Sequence, residues 1–257
     1  RTSDPTEVRP HRIEKVAIVN SESKYADEFL GFPFDKKIRF TTADALPTLV
    51  LGEHTPQNVA AALAVARVLN VGEDVLKEAA QNLKGVPGRI ELIPEAEAQG
   101  FQVIVDYAFE PVAMAALYKV VEQFKPKQVL HVLGAAGGGR DRSRRPVLGR
   151  FVAERAAIVI VTNEDPYDDE PMSIIEEVAR GARECKIKNV KCKMIELLTI
   201  LDRQEAIGKA LQLAQKGDLV LITGKGSEQA MVVKGKIVPW DDREVVRGLL
   251  TSTNLKH

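Results

Sequence analysis

Apolar residues in this chain fall into short runs separated by longer amphipathic stretches, and the alternation is clearest beyond residue 100. Residues 101–106, 129–133, 158–161, 190–195 and 218–223 read as strands, rich in Val, Ile and Leu as the buried strands of a parallel sheet are. Between them, residues 111–124, 146–156, 171–184 and 203–215 read as helices. Residues 231–233 and 236–238 form a closing hairpin about Gly235. Asp241-Asp-Arg-Glu244 opens a last helix, with an acid at the N-cap and a Glu three positions on. Strand and helix in regular alternation predict an α/β domain on a doubly wound parallel sheet.

The first third reads differently. Residues 16–20 and 37–41 are short strands with a helical stretch around 24–30 between them. Thr55-Pro56 starts an Ala-rich helix that runs to Leu69 and is apolar enough to pack on more than one side. Residues 74–83 form another helix. The punctuation Gly85-Val-Pro-Gly88 is the best domain boundary, giving segments 1–88 and 89–257.

Composition narrows the field. At 257 residues the chain can bury a large core in one or two domains. Lys plus Arg equals Asp plus Glu at 36 each, so there is no global basic field for nucleic acid. No apolar stretch approaches the roughly twenty residues that span a bilayer. Two cysteines, Cys185 and Cys192, are too few for a disulfide framework and read as free thiols in a reducing cytoplasm. Four histidines show no ligand spacing, so no structural metal is expected. The chain opens on Arg and a polar, Pro-containing segment, which reads as a cut end.

The candidate chemistry sits in two loops. Gly134-Ala-Ala-Gly-Gly-Gly-Arg-Asp-Arg-Ser-Arg-Arg-Pro146 follows one strand, and the acidic Thr162-Asn-Glu-Asp-Pro-Tyr-Asp-Asp-Glu-Pro171 follows the next. In a parallel sheet such loops meet at the carboxyl ends of the strands, where ligands bind. Guanidinium groups on one side and carboxylates on the other suit a zwitterion such as an amino acid. The glycines of 134–139 fit neither a P-loop nor a dinucleotide fingerprint, and Gly224-Lys-Gly-Ser227 is a broken P-loop. Of Arg140, Arg142, Arg144 and Arg145, at least two read as surface or packing residues, and without interleaved aromatics an anionic ligand ranks above RNA. Asp106, at a strand end, either accepts hydrogen bonds from a ribose or caps the next helix. Arg89 either bridges a nucleotide phosphate or pairs with Glu91 or Glu95.

These pieces, in this order, resemble the Mur ligases, the ATP-dependent amide ligases of peptidoglycan and cell-wall synthesis. Gly52-Glu-His-Thr-Pro-Gln-Asn58 looks like the family's Gly-x-His-Asn-x-x-Asn segment, and Gly85 to Glu91 like its junction into the C-terminal domain. Val105-Asp-Tyr-Ala-Phe-Glu-Pro111 is similar to Asp-Tyr-Ala-His-x-Pro. Gly138 to Pro146 resembles the Arg-Asp-x-x-Lys-Arg-Pro motif of the branch that adds the third amino acid. Glu164-Asp-Pro-Tyr167 falls where that branch has Asp-Asn-Pro-Arg, and Gly224-Lys-Gly-Ser-Glu228 where it has Gly-Lys-Gly-His-Glu.

The resemblance implies a Rossmann-like C-terminal domain preceded by the tail of a P-loop-type ATPase central domain. It implies that His54, Asn58, Arg89, Asp106 and Phe109 face ATP. It implies that Arg140, Glu164, Asp165, Pro166, Tyr167, Gly224 and Glu228 line the amino-acid pocket, Arg140 taking a carboxylate and Glu228 a distal ammonium. ATP and Mg2+ are the implied cofactors, with magnesium ligands mostly outside the chain, and no catalytic residue is assigned. UDP-muramoyl-peptide and an amino acid are the implied substrates of a cytoplasmic, monomeric ligase with neither nucleic acid nor membrane as partner. The P-loop, the carbamylated lysine and the UDP-sugar domain would precede Arg1, so the remaining segments of the enzyme are themselves expected partners. Alone, the chain is expected not to turn over ATP.

Departures matter too. Phe109 and Ser227 replace histidines, Asp165 replaces Asn, and Tyr167 replaces the Arg that grips the distal carboxylate of diaminopimelate. The expected substrate is therefore a simple diamino acid such as L-lysine or ornithine, with meso-diaminopimelate behind it. The competing readings are a non-catalytic amino-acid or nucleotide binding module, and a folylpolyglutamate-type ligase.

Overall fold

The computed structural model describes residues 13–188 and 192–252, and the chain divides into two compact units between Lys84 and Gly85. In the first, β1 (Val16–Asn20) and β2 (Lys36–Phe40) pair in parallel across the short helix α1 (Ala26–Gly31). Helices α2 (Thr55–Val68) and α3 (Glu73–Gln81) complete it. α2 has His54 at its N-cap and Pro56 in its first turn, where the missing N–H costs nothing. Its Ala60 and Ala64 pack on Phe40, while Val59 and Leu63 pack on Leu76. Two adjoining faces are covered as its apolar sequence requires, and Val65 and Leu69 stay exposed.

The second unit is a six-stranded sheet. In chain order it comprises β3 (Glu91–Leu92), β4 (Gln102–Asp106), α4 (Pro111–Gln123), β5 (Val129–Leu133), α5 (Arg144–Ala153), β6 (Ile158–Thr162), α6 (Pro171–Lys188), β7 (Glu196–Ile200), α7 (Arg203–Leu213) and β8 (Leu219–Thr223). A separate antiparallel hairpin, β9 (Ala230–Val233) and β10 (Lys236–Pro239), and a final helix α8 (Asp242–Thr251) follow. The spatial order is β3-β4-β8-β5-β6-β7, parallel throughout except for β3 against β4.

Alternation along each strand builds one core per face. Val129, Leu133, Leu219 and Leu221 face α4, α5 and α6, while Leu130, Val132, Val220 and Ile222 face α7 and α8. Helices cover both faces, which is why the strands read as nearly unbroken apolar runs. Helices α5 and α6 touch through backbone. A Cβ on Gly149 would lie 1.9 Å from the carbonyl oxygen of Val178, and one on Gly181 would lie 1.9 Å from that of Pro146. The contact explains two glycines that helix propensity alone disfavours.

Several boundaries differ from the sequence reading, among them the end of α6, which runs to Lys188 where 184 was expected. The strand expected at 190–195 lies at Glu196–Ile200, with residues 189–191 outside the described set. Glu196 and Thr199 break the apolar run because β7 is the sheet's edge, so Val190 and Ile195 attracted the assignment. The helix expected from Pro146 begins at Arg144. β3 escaped notice because it is a two-residue edge strand.

Candidate functional site

Because β4, β8, β5 and β6 are parallel neighbours, four loops emerge together at their carboxyl ends. They enclose a cavity of about 80 Å³, space for several ordered waters or the polar end of an amino acid. Arg140, Glu164, Asp165, Gly224 and Glu228 all line it, with Tyr107, Phe109, Leu148 and Tyr167 as aromatic and apolar walls.

Glu164 is the most unusual group. Its carboxylate is buried, and Oε2 has no hydrogen-bond partner. Burial pushes its pKa up to about 7, against the opposing pull of Arg203 and Lys225. Two glycines make the slot. A Cβ on Gly224 would lie 2.2 Å from Glu164 Oε2, and one on Gly134 would lie 2.8 Å from Glu164 Cβ. Any other residue at either position would evict the carboxylate. Gly224 also holds φ at +109°, a value that side chains disfavour.

The floor is a tied network. Lys225 Nζ donates to Asp165 Oδ2 at 2.8 Å and pairs with Glu228 Oε2 at 2.7 Å. Asp165 Oδ1 accepts the Val232 N–H at 2.7 Å, and Tyr107 Oη donates to Glu228 Oε1 at 3.2 Å. Both Asp165 oxygens are thus engaged within the protein, so this residue holds the acidic loop against β9. Three carboxylates, Glu164, Asp165 and Glu228, face one lysine, which leaves the floor acidic.

Beneath them Arg203 is buried and donates to four acceptors. Nε and Nη2 grip Asp242 at 2.8 and 2.7 Å, Nη1 reaches the carbonyl of Asn163 at 3.1 Å, and Nη2 reaches that of Thr223 at 2.9 Å. One guanidinium therefore ties together the ends of β6 and β8, from which Glu164 and Gly224 project. The indole N–H of Trp240 satisfies Asp242 further at 2.7 Å. A parallel neutral tie runs Tyr118–His131–Thr223, both contacts 2.9 Å, with the imidazole pushed down to about 3 by burial.

The arginine run divides by partner. Arg142 and Arg145 pair with Glu177, and Arg145 also reaches the carbonyl of Ala136. Arg144 pairs with Glu110. Arg140 is exposed and, among the described residues, has neither ion pair nor side-chain hydrogen bond. The cavity therefore carries one unpaired cation and one unpaired buried carboxyl group.

Tyr167 sits with φ at +53°, its backbone paired with Val232 and Lys234 and its ring over Gly138. Pro166 does not line the cavity; its carbonyl lies against Gly137, closing one loop on the other. Asp106 accepts the N–H groups of Ile90 and Ala108, both at 2.7 Å, so it fixes the turn at residues 88–90. Arg89 is exposed, stacked over the Tyr107 ring at 4.3 Å, and shows no ion pair with Glu91 or Glu95. Phe109, 39% exposed, meets Tyr107 edge-on. His54 and Asn58 lie exposed at the start of α2 in the first unit.

Sequence reasoning passed over Arg203, Asp242, Lys225, Tyr107 and Gly134 as parts of the site. Arg203 and Asp242 are thirty-nine residues apart, and nothing local marks either one.

The profile of the Mur ligase glutamate ligase domain matches residues 88–226. A UDP-N-acetylmuramoyl-L-alanyl-D-glutamate–2,6-diaminopimelate ligase of Solibacter usitatus is 34% identical over 225 residues, 86% of this chain and 42% of that protein. A protein of the same name from Chlorobium phaeobacteroides is 36% identical over 221 residues, covering 84% and 41%. A solved structure with that name aligns at TM-score 0.57 and 26% identity over 92% of this chain and 53% of the other. Folylpolyglutamate synthase of Mycobacterium tuberculosis, complexed with ADP, shares the fold at TM-score 0.63 and 17% identity, covering 95% and 56%. The chain thus spans about two-fifths of the curated relatives it matches. No helix among the described residues is long and apolar enough to cross a membrane.

Proposed function

The chain belongs to the Mur ligase family, and on that premise we propose that it supplies the amino-acid pocket of an ATP-dependent ligase adding a diamino acid to a UDP-muramoyl dipeptide. The observation that carries this reading is the pair of unsatisfied groups in one cavity, the guanidinium of Arg140 and the buried carboxyl of Glu164. An α-carboxylate on Arg140 and a distal ammonium between Glu164 and Glu228 satisfy both. The ammonium gives Glu164 Oε2 its missing donor and favours the ionised form of that carboxyl. Holding the amino acid at both ends fixes its reacting amine, a contribution of position.

Tyr167 argues for a diamino monocarboxylic acid such as L-lysine or L-ornithine over meso-diaminopimelate. Arginine would offer a second carboxylate two parallel hydrogen bonds, and tyrosine offers one neutral hydroxyl. The acidic floor points the same way.

ATP, when bound, supplies the phosphoryl group that turns the dipeptide carboxylate into an acyl phosphate. Arg89, with its exposed guanidinium, suits a phosphate, and the half-exposed ring of Phe109 suits a base. Asp106 positions this edge through its two backbone contacts. Among the described residues no cluster of three His, Cys, Asp or Glu is placed to hold a metal.

Competition calorimetry tests the choice of substrate. L-lysine or L-ornithine should bind more tightly than meso-diaminopimelate; the reverse order would refute the role given to Tyr167.

A further inference from the structure

Arg89 does not line the cavity, yet a continuous set of contacts leads from it to the pocket carboxylate. Its guanidinium lies 4.3 Å from the centroid of the Tyr107 ring. Tyr107 Oη donates to Glu228 Oε1 at 3.2 Å, and Lys225 holds the other oxygen at 2.7 Å. The backbone under these side chains is interlocked. A Cβ on Gly88 would lie 2.2 Å from the carbonyl carbon of Gly226, and one on Gly226 would lie 2.4 Å from the nitrogen of Tyr107. Asp106 clamps the same turn through the N–H groups of Ile90 and Ala108.

We propose that Tyr107 is a positioning residue that couples Arg89 to Glu228, so that what Arg89 binds alters the grip of the pocket on an ammonium group. The proposal rests on the amino-acid reading of the cavity and adds to it a link between the two substrate positions. The cation above the ring fixes its orientation, and the ring delivers its hydroxyl to Glu228. With both oxygens engaged, Glu228 presents its remaining lone pairs in one direction. An anion that draws Arg89 off the ring releases the ring and with it the carboxylate. Burial, and after it the neighbouring Glu228, raise the pKa of the Tyr107 hydroxyl, as expected for a donor aimed at a carboxylate.

The test is a double-mutant cycle on the full chain with L-lysine as probe. Arg89→Gln should weaken L-lysine binding two- to fivefold, roughly the strength of an exposed cation–ring contact. Tyr107→Phe should weaken it comparably, and the double variant no further. Arg89→Lys should retain most of the affinity, because the cation is kept. Independent effects in the double variant, or none from Arg89→Gln, would overturn the proposal. A ligand-free arm separates this outcome from failure of the pocket reading. In carbon-13 spectra of labelled tyrosine, the Tyr107 hydroxyl should titrate lower in Glu228→Gln and higher in Arg89→Gln. If L-lysine does not bind the unmodified chain, the pocket reading falls and the coupling stands or falls on that resonance. Indifference of Tyr107 to either substitution then refutes it.

Discussion

Glu164 shows how much one side chain can reveal. A carboxyl with no partner for Oε2, buried in a slot between two glycines, is costly to keep ionised. Its pKa rises from 4.5 to about 7 on folding. The native state therefore holds a proton that the unfolded chain has released, and stability falls as pH rises between those values. This contribution is fully present below about pH 4.5 and is lost as pH climbs through 7. Its size is about 3 kcal/mol from the linkage relation. Glu164→Gln should flatten the fall, measured as denaturant midpoints between pH 4.5 and 8. An unchanged slope would show that Glu164 finds a donor in solution.

At the scale of elements, the site depends on two strand ends held in register. Arg203, from the first turn of α7, joins the carbonyls of Asn163 and Thr223 and is neutralised by Asp242 at the start of α8. Removing one member strands a buried charge, so Arg203→Met should cost roughly 3–5 kcal/mol. Replacing both with apolar residues, Arg203→Met with Asp242→Leu, should recover most of that stability. Amino-acid affinity should not recover, because the loop ends stay untied. Thermal melts and calorimetry read the two quantities separately, and affinity that returned with stability would show the tie to be structural only.

The same scale shows what the chain made legible. Strands β1, β5 and β8 fall within a residue of expectation because each is a compact apolar run, and Asp241 caps α8 as its sequence suggested. β7 lies outside the expected range because an edge strand need not be apolar on both faces. The loops of Arg140 and Glu164 could be nominated because they follow recognisable strands, and the two residues themselves only through the resemblance of their motifs to those of the Mur ligases. Arg203 could not, since its importance comes from acceptors twenty to forty residues away. Nor could a local pattern show that Asp165 serves Lys225 and Val232 within the protein.

For the whole molecule, the sheet topology explains why opposite charges meet at all. Inserting β8 between β4 and β5 brings the Gly224–Glu228 loop alongside the loops of Tyr107, Arg140 and Glu164. The floor is acidic and the lining also carries a free guanidinium, which together suit a zwitterion with one extra ammonium. The most direct measurement is calorimetric titration of the chain and its Arg140→Ala and Glu164→Gln variants with L-lysine, lysinamide and Nε-acetyl-lysine. L-lysine should bind best. Arg140→Ala should weaken L-lysine at least about tenfold, the loss of one charge-assisted pair, and leave lysinamide unaffected. Glu164→Gln should weaken L-lysine and leave Nε-acetyl-lysine unaffected. Equal affinities of all three ligands for all three proteins would show that the cavity does not hold an amino acid by its two ends.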